Sequence, residues 1–103
     1  MADDRLIAAL DVPTRAAAEQ LVTRLGDSVS FYKVGMELFY ALGGDIVTWL
    51  KEQEKKVFLD LKLHDIPNTV GNGLCSLLRL RPDILNVHTA GGLRMMKAAR
   101  EAL

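Results

Sequence analysis

Cysteine is almost missing: Cys75 stands alone in 103 residues, which excludes an intramolecular disulfide and any thiolate zinc site of the usual spacing. It falls on the apolar side of a helical pattern and is expected in the core. Net charge is missing too. Thirteen basic residues balance thirteen acidic ones, so there is no basic field to draw a polyanion, and no nucleic acid partner is expected. No uncharged apolar run is long enough to span a bilayer, and the opening MADDRLIAAL has neither the basic region nor the cleavage site of a signal peptide. A cytoplasmic protein without a membrane partner is expected. No linker or low-complexity stretch divides the chain, so residues 1–103 read as a single unit. What the chain does have is apolar content, half of its residues, enough for one core.

Four short apolar or β-branched runs organise the sequence: residues 5–12 (RLIAALDV), 30–35 (SFYKVG), 56–62 (KVFLDLK) and 83–88 (DILNVH). Helical periodicity follows each. Ala17, Leu21 and Leu25 repeat after the first, with Ala18 and Val22 beside them and Gly26 as the stop. After the second, a short helical piece ends at Gly43-Gly44, and Asp45 is the expected N-cap of a helix burying Ile46, Trp49 and Leu50. Pro67 opens the third helix, with Val70, Leu74, Leu77 and Leu78 facing inward. The last is expected to bury Leu93, Met96, Ala99 and Leu103, with the Met95-Met96 pair filling gaps. Strands alternating with helices at roughly 26 residues per unit mean right-handed βαβ units and a parallel sheet. Either an open doubly wound sheet or part of a (β/α)₈ barrel satisfies that pattern. A complete barrel needs about 250 residues, so four units make half of one.

The polar residues favour the barrel. Asp11, Lys33, Asp60 with Lys62, and His88 all lie at the C-terminal ends of their runs, the face where such folds place chemistry. Within FLDLKLHDIPNT, alternation puts Phe58, Asp60 and Lys62 on one side of the strand and Val57, Leu59 and Leu61 on the other. Asp60 and Lys62 should then point toward the barrel axis about 6–7 Å apart, too far for a direct ion pair unless the side chains lean together. Lys33 approaches Asp60 from the neighbouring strand. An alternating row of cation and anion keeps each charge compensated.

The stretch DLKLHDIPNT, with ALDV in the first run and FYKVG in the second, resembles the orotidine 5′-monophosphate decarboxylase family from Arg5 to Leu103. Related sugar-phosphate decarboxylases and synthases share D-x-K-x-x-D, but tend to carry a metal-holding glutamate where Lys33 stands and lack Ile66-Pro67-Asn68-Thr69. The resemblance implies that Lys33, Asp60 and Lys62 are catalytic, and that Asp65 joins them from across a dimer interface. It further implies that Asp11 and Lys33 contact the ribose, that Ile66 and Thr69 accompany Asp65 into the partner's pocket, and that neither metal nor cofactor takes part. His64 is expected as a loop or interface residue. His88 is expected as a strand-end histidine bonded locally.

The family's barrel continues for four more strands bearing a serine near the pyrimidine and the glycine-rich loop and arginine that grip the phosphate. None can be located here, and the helical stripe running into Leu103 suggests a truncated chain. A half-barrel leaves parallel edges open at its first and fourth strands, so a homodimer or higher self-association is expected. The competing reading is a non-catalytic half-barrel that assembles and keeps its charges by inheritance. An open nucleotide-binding domain is disfavoured, because the first turn, LDVPTR, has no glycine-rich loop.

Overall fold

A computed structural model describes residues 2–103. Its elements alternate as expected: β1 (Ala8–Ala9), α1 (Arg15–Leu25), β2 (Phe31–Gly35), α2 (Met36–Leu42), α3 (Asp45–Glu52), β3 (Lys56–Leu63), α4 (Pro67–Leu77), β4 (Ile84–Val87) and α5 (Leu93–Glu101). The four strands form one parallel sheet in the order β1-β2-β3-β4. Sequential order with every crossover on one side is the arrangement of four βα units of a TIM (β/α)₈ barrel. It leaves β1 and β4 as the sheet's two edges.

The strand alternation read from the sequence decides where the core lies. Tyr32 and Val34 of β2 and Val57, Leu59 and Leu61 of β3 are buried on the helix side, against Ala18 and Val22 of α1, Leu38 of α2 and Ile46, Val47 and Leu50 of α3. A second cluster joins Val70 and Leu74 of α4 to Met95 and Ala99 of α5. The opposite, concave side stays open: Ile7 and Ile84 are exposed there, beside half-buried Phe58.

Five local expectations are corrected. First, β1 pairs only at Ala8–Ala9, well inside residues 5–12, with Ala8 opposite Tyr32 and Ala9 opposite Lys33. Second, α5 is rotated by about one residue. Met95, not Leu93, is buried with Ala99, while Leu93 and Leu103 are 63% and 70% exposed. Gly91 explains the fit, since a Cβ there would lie 2.0 Å from Met95 Sδ, and the methionine occupies that space. Third, Cys75 is exposed, one step round α4 from the buried Val70–Leu74 stripe, with its Sγ 3.8 Å from the Ala102 carbonyl. Leu78, expected inward, lies beyond the end of α4 in a 3₁₀ turn and is exposed. Asp45 is the first residue of α3, and Gly44 precedes it as the cap.

Candidate active site

The parallel register places the charged residues together. Gly35 pairs with Asp60 across β2 and β3, Lys33 lies two residues back on the same face, and Ala9 of β1 pairs with Lys33. Asp11 follows two residues after Ala9 at the mouth of the sheet. Lys33 Nζ lies 3.4 Å from Asp11 Oδ1 and 3.6 Å from Asp60 Oδ2, and Lys62 Nζ lies 2.9 Å from Asp60 Oδ1. The four groups therefore form an unbroken row, anion–cation–anion–cation. Gly35 leaves room above it: a Cβ would sit 3.4 Å from Lys33 Nζ and 3.5 Å from Asp11 Oδ1.

Asp60 and Lys62 touch directly, closing the gap expected of an unbent strand. Lys62 has a left-handed backbone, φ +49°, at a point where the β3–β4 ladder changes register. That bend swings the ammonium back over the carboxylate, and a non-glycine residue holds such a conformation only when its surroundings compensate. Asp60 is 7% exposed, the single charged residue in the core of the described chain. The Lys62 ammonium holds its carboxyl below the usual carboxylate range. Burial opposes this, while the Asn86 amide and the charges of Lys62 and Lys33 reinforce it.

A folded value below the ordinary 3.8 means that ionised Asp60 stabilises the fold above that value and that the contribution fades as pH falls through the lower folded value. Urea unfolding of the chain and of Asp60→Asn should therefore differ by a constant amount from neutral pH down to about 4–5, and converge below it. A gap that widens on acidification would contradict the assignment.

The array can present an ammonium, half exposed on Lys62, to an anion or a developing negative charge, beside a fixed carboxylate that repels a second anion. Residues 4–103 match the model of the orotidine 5′-phosphate decarboxylase / HUMPS family. The chain is 55% identical over 101 residues to an orotidine 5′-phosphate decarboxylase of Enterococcus faecalis, and 55% over 98 residues to one of Bacillus cytotoxicus. Among solved structures, the orotidine 5′-phosphate decarboxylase of Lactobacillus acidophilus superposes with a TM-score of 0.89 at 46% identity, covering 98% of this chain and 46% of that one. A conserved protein from Geobacillus kaustophilus also superposes at 0.89, with 52% identity over 94% of this chain and 45% of that one.

The chain belongs to the orotidine 5′-phosphate decarboxylase / HUMPS family. The match takes in 97% and 95% of this chain but only 43% and 41% of the E. faecalis and B. cytotoxicus relatives.

Of the residues that the family resemblance singled out, Asp11, Lys33, Asp60 and Lys62 are brought together, and Asp65, Ile66 and Thr69 are not. Asp65 is exposed and its Oδ1 accepts the Ile66 N–H at 2.7 Å; Ile66 is 65% exposed. With Lys62 and Thr69, Asp65 instead lines an open groove of about 380 Å³ whose other wall carries Met36 and Tyr40. His88 Nδ1 accepts the Ala90 N–H at 3.1 Å, the local bond expected of it, and His64 stacks on its ring at 5.1 Å.

Sequence reasoning missed Asn86. Its Nδ2 donates to Asp60 Oδ1 at 2.7 Å, and its Oδ1 accepts the Lys62 backbone N–H at 2.9 Å. A signal was available, since asparagine is depleted in strands and this one sits inside DILNVH.

Proposed function

We propose that the chain carries the catalytic array of an orotidine 5′-monophosphate decarboxylase, converting orotidylate to uridylate and CO₂ by direct decarboxylation. The observation that carries this reading is the ion-paired row Asp11–Lys33–Asp60–Lys62 on the open face of the sheet, at the C-terminal ends of β2 and β3. Loss of the carboxyl group leaves an electron pair at C6 that the pyrimidine ring delocalises poorly. Lys62 stabilises that carbanion and delivers the proton to C6. Asp60 repels the substrate carboxylate in the ground state, and the repulsion vanishes as neutral CO₂ departs. Two like charges near 4 Å interact by about 1 kcal/mol in water and about 4 kcal/mol at an effective dielectric of 20, so the larger share falls to stabilisation of the carbanion. Lys33 and Asp11 hold the ribose hydroxyls, and Lys33 keeps Asp60 ionised from the other side. The reaction so written calls for no metal or cofactor.

Asp65, Ile66 and Thr69 act in the neighbouring subunit of a homodimer. The exposed Tyr40, 72%, lines the groove that contains Asp65, and Ile66, next in the chain to Asp65, is 65% exposed, which supports an interface at this end of the sheet. Mixing Asp65→Asn with Lys62→Ala chains tests the sharing. Half of randomly mixed dimers are heterodimers and each would hold one intact site of two, so about a quarter of wild-type activity should return. No recovery in mixed dimers would count against a shared site.

The phosphate-gripping residues of the family's later strands are outside this sequence, so weak binding and slow turnover are expected of the chain alone. The open concave face and the free edges at β1 and β4 keep a second reading in view, a self-associating half-barrel without activity. Uridylate formation at high orotidylate concentration by the purified chain supports the first reading. Formation no faster than in buffer supports the second.

A further inference from the structure

We propose that Asn86 is a positioning residue of the array, fixing the Asp60 carboxylate with one end of its amide and the Lys62 backbone with the other. This rests on the reading of Asp60 and Lys62 as the decarboxylating pair. The register explains why a side chain is needed there. Leu59 pairs with Leu85 and Leu63 with Val87, so three residues of β3, Asp60 to Lys62, face Asn86 alone on β4. Ordinary ladder bonds cannot serve that bulge. The Asn86 side chain takes their place: its Oδ1 accepts from Lys62 N at 2.9 Å, where the backbone is left-handed, and its Nδ2 donates to Asp60 Oδ1 at 2.7 Å.

The amide has one workable orientation. Flipped, its NH₂ would face the Lys62 N–H and its oxygen would face a carboxylate. Asp60 Oδ1 thus receives Asn86 and the Lys62 ammonium together, while Oδ2 meets Lys62 at 3.0 Å and Lys33 at 3.6 Å. With both oxygens engaged, the carboxylate plane is set. Asn86 also fixes the direction from which the Lys62 side chain leaves the strand. It acts through these two residues and need not touch substrate.

The two ends of the amide can be tested separately on the intact chain, by NMR titration of the Asp60 carboxyl carbon and hydrogen exchange of the Lys62 amide. Asn86→Ala removes both bonds: Asp60 should titrate at higher pH than in the wild type, and the Lys62 amide should exchange about tenfold faster. Asn86→Asp keeps an acceptor for the Lys62 N–H but sets a second carboxylate against Asp60. Lys62 exchange should then stay near wild type while Asp60 moves up further. Asn86→Ser, too short to reach both partners, should follow the alanine variant and replaces it if that chain does not fold.

With orotidylate turning over, Asn86→Ala should lower kcat about tenfold to a hundredfold and leave KM nearly unchanged. Folded variants in which Asp60 titrates and Lys62 exchanges as in the wild type would overturn the proposal. A wild-type chain without turnover would instead sink the decarboxylase reading, leaving the titration and exchange results to decide the role of Asn86.

Discussion

Replacing Lys62 by alanine in a complete, assembled enzyme carrying these four units is expected to lower orotidylate decarboxylation by about 10³-fold or more, with the fold retained. The Lys62 side chain is half exposed and packs in no core cluster, so its truncation removes a cation and little buried surface. Alanine tolerates the left-handed backbone at this position no worse than lysine does, and the Asn86 bond to the backbone N–H is untouched. What goes is the ammonium. Asp60 keeps Asn86 and Lys33 as partners and stays ionised near neutral pH, while a developing carbanion would find no cation and no proton donor. Circular dichroism and a steady-state assay on the same sample separate loss of chemistry from loss of fold. A folded variant retaining most activity would refute the assignment of Lys62.

Leu59→Ala is expected to destabilise the chain by about 2–5 kcal/mol. Leu59 is fully buried on the central strand β3, paired on one side with Val34 and on the other with Leu85. Both neighbours are fixed in the ladder, so the cavity left by the missing carbons cannot readily collapse. Against a total stability of about 5–15 kcal/mol for a domain of ordinary size, such a loss brings the folded chain close to its limit. Urea unfolding measures it directly. Leu93→Ala serves as the contrast: with Leu93 mostly exposed, its midpoint should barely move. A change below about 1 kcal/mol at Leu59, or a large one at Leu93, would contradict the packing described.

The units of the fold were legible because strand alternation and helical spacing are local. Val57, Leu59 and Leu61 against Phe58, Asp60 and Lys62 gave the two faces of β3 directly from their order in the chain. What was not legible depended on partners distant in sequence. The two paired residues of β1 are defined only against β2, and the rotation of α5 is set by the space that Gly91 leaves for Met95. Val70 and Leu74 face inward as their spacing requires, but Cys75, one step round α4 from Leu74, falls outside the face that packs on α5, and the edge of that face is set by the partner helix. In the site, Lys33, Asp60 and Lys62 could be grouped from their places at strand ends. The direct Asp60–Lys62 contact and the part played by Asn86 could not, since both follow from a bulge that exists only once β3 lies against β4.

The central claim, that substrate is held over the charged row on the open face of the sheet, is tested most directly by NMR of the labelled chain titrated with a pyrimidine nucleoside 5′-monophosphate bearing an anionic group at C6. The account predicts saturable shifts confined to Asp11, Lys33, Asp60, Lys62 and their neighbours, with the Lys62 ammonium and the Asp60 carboxyl moving most. Shifts centred elsewhere, such as along α1, or none at saturating concentration, would contradict it.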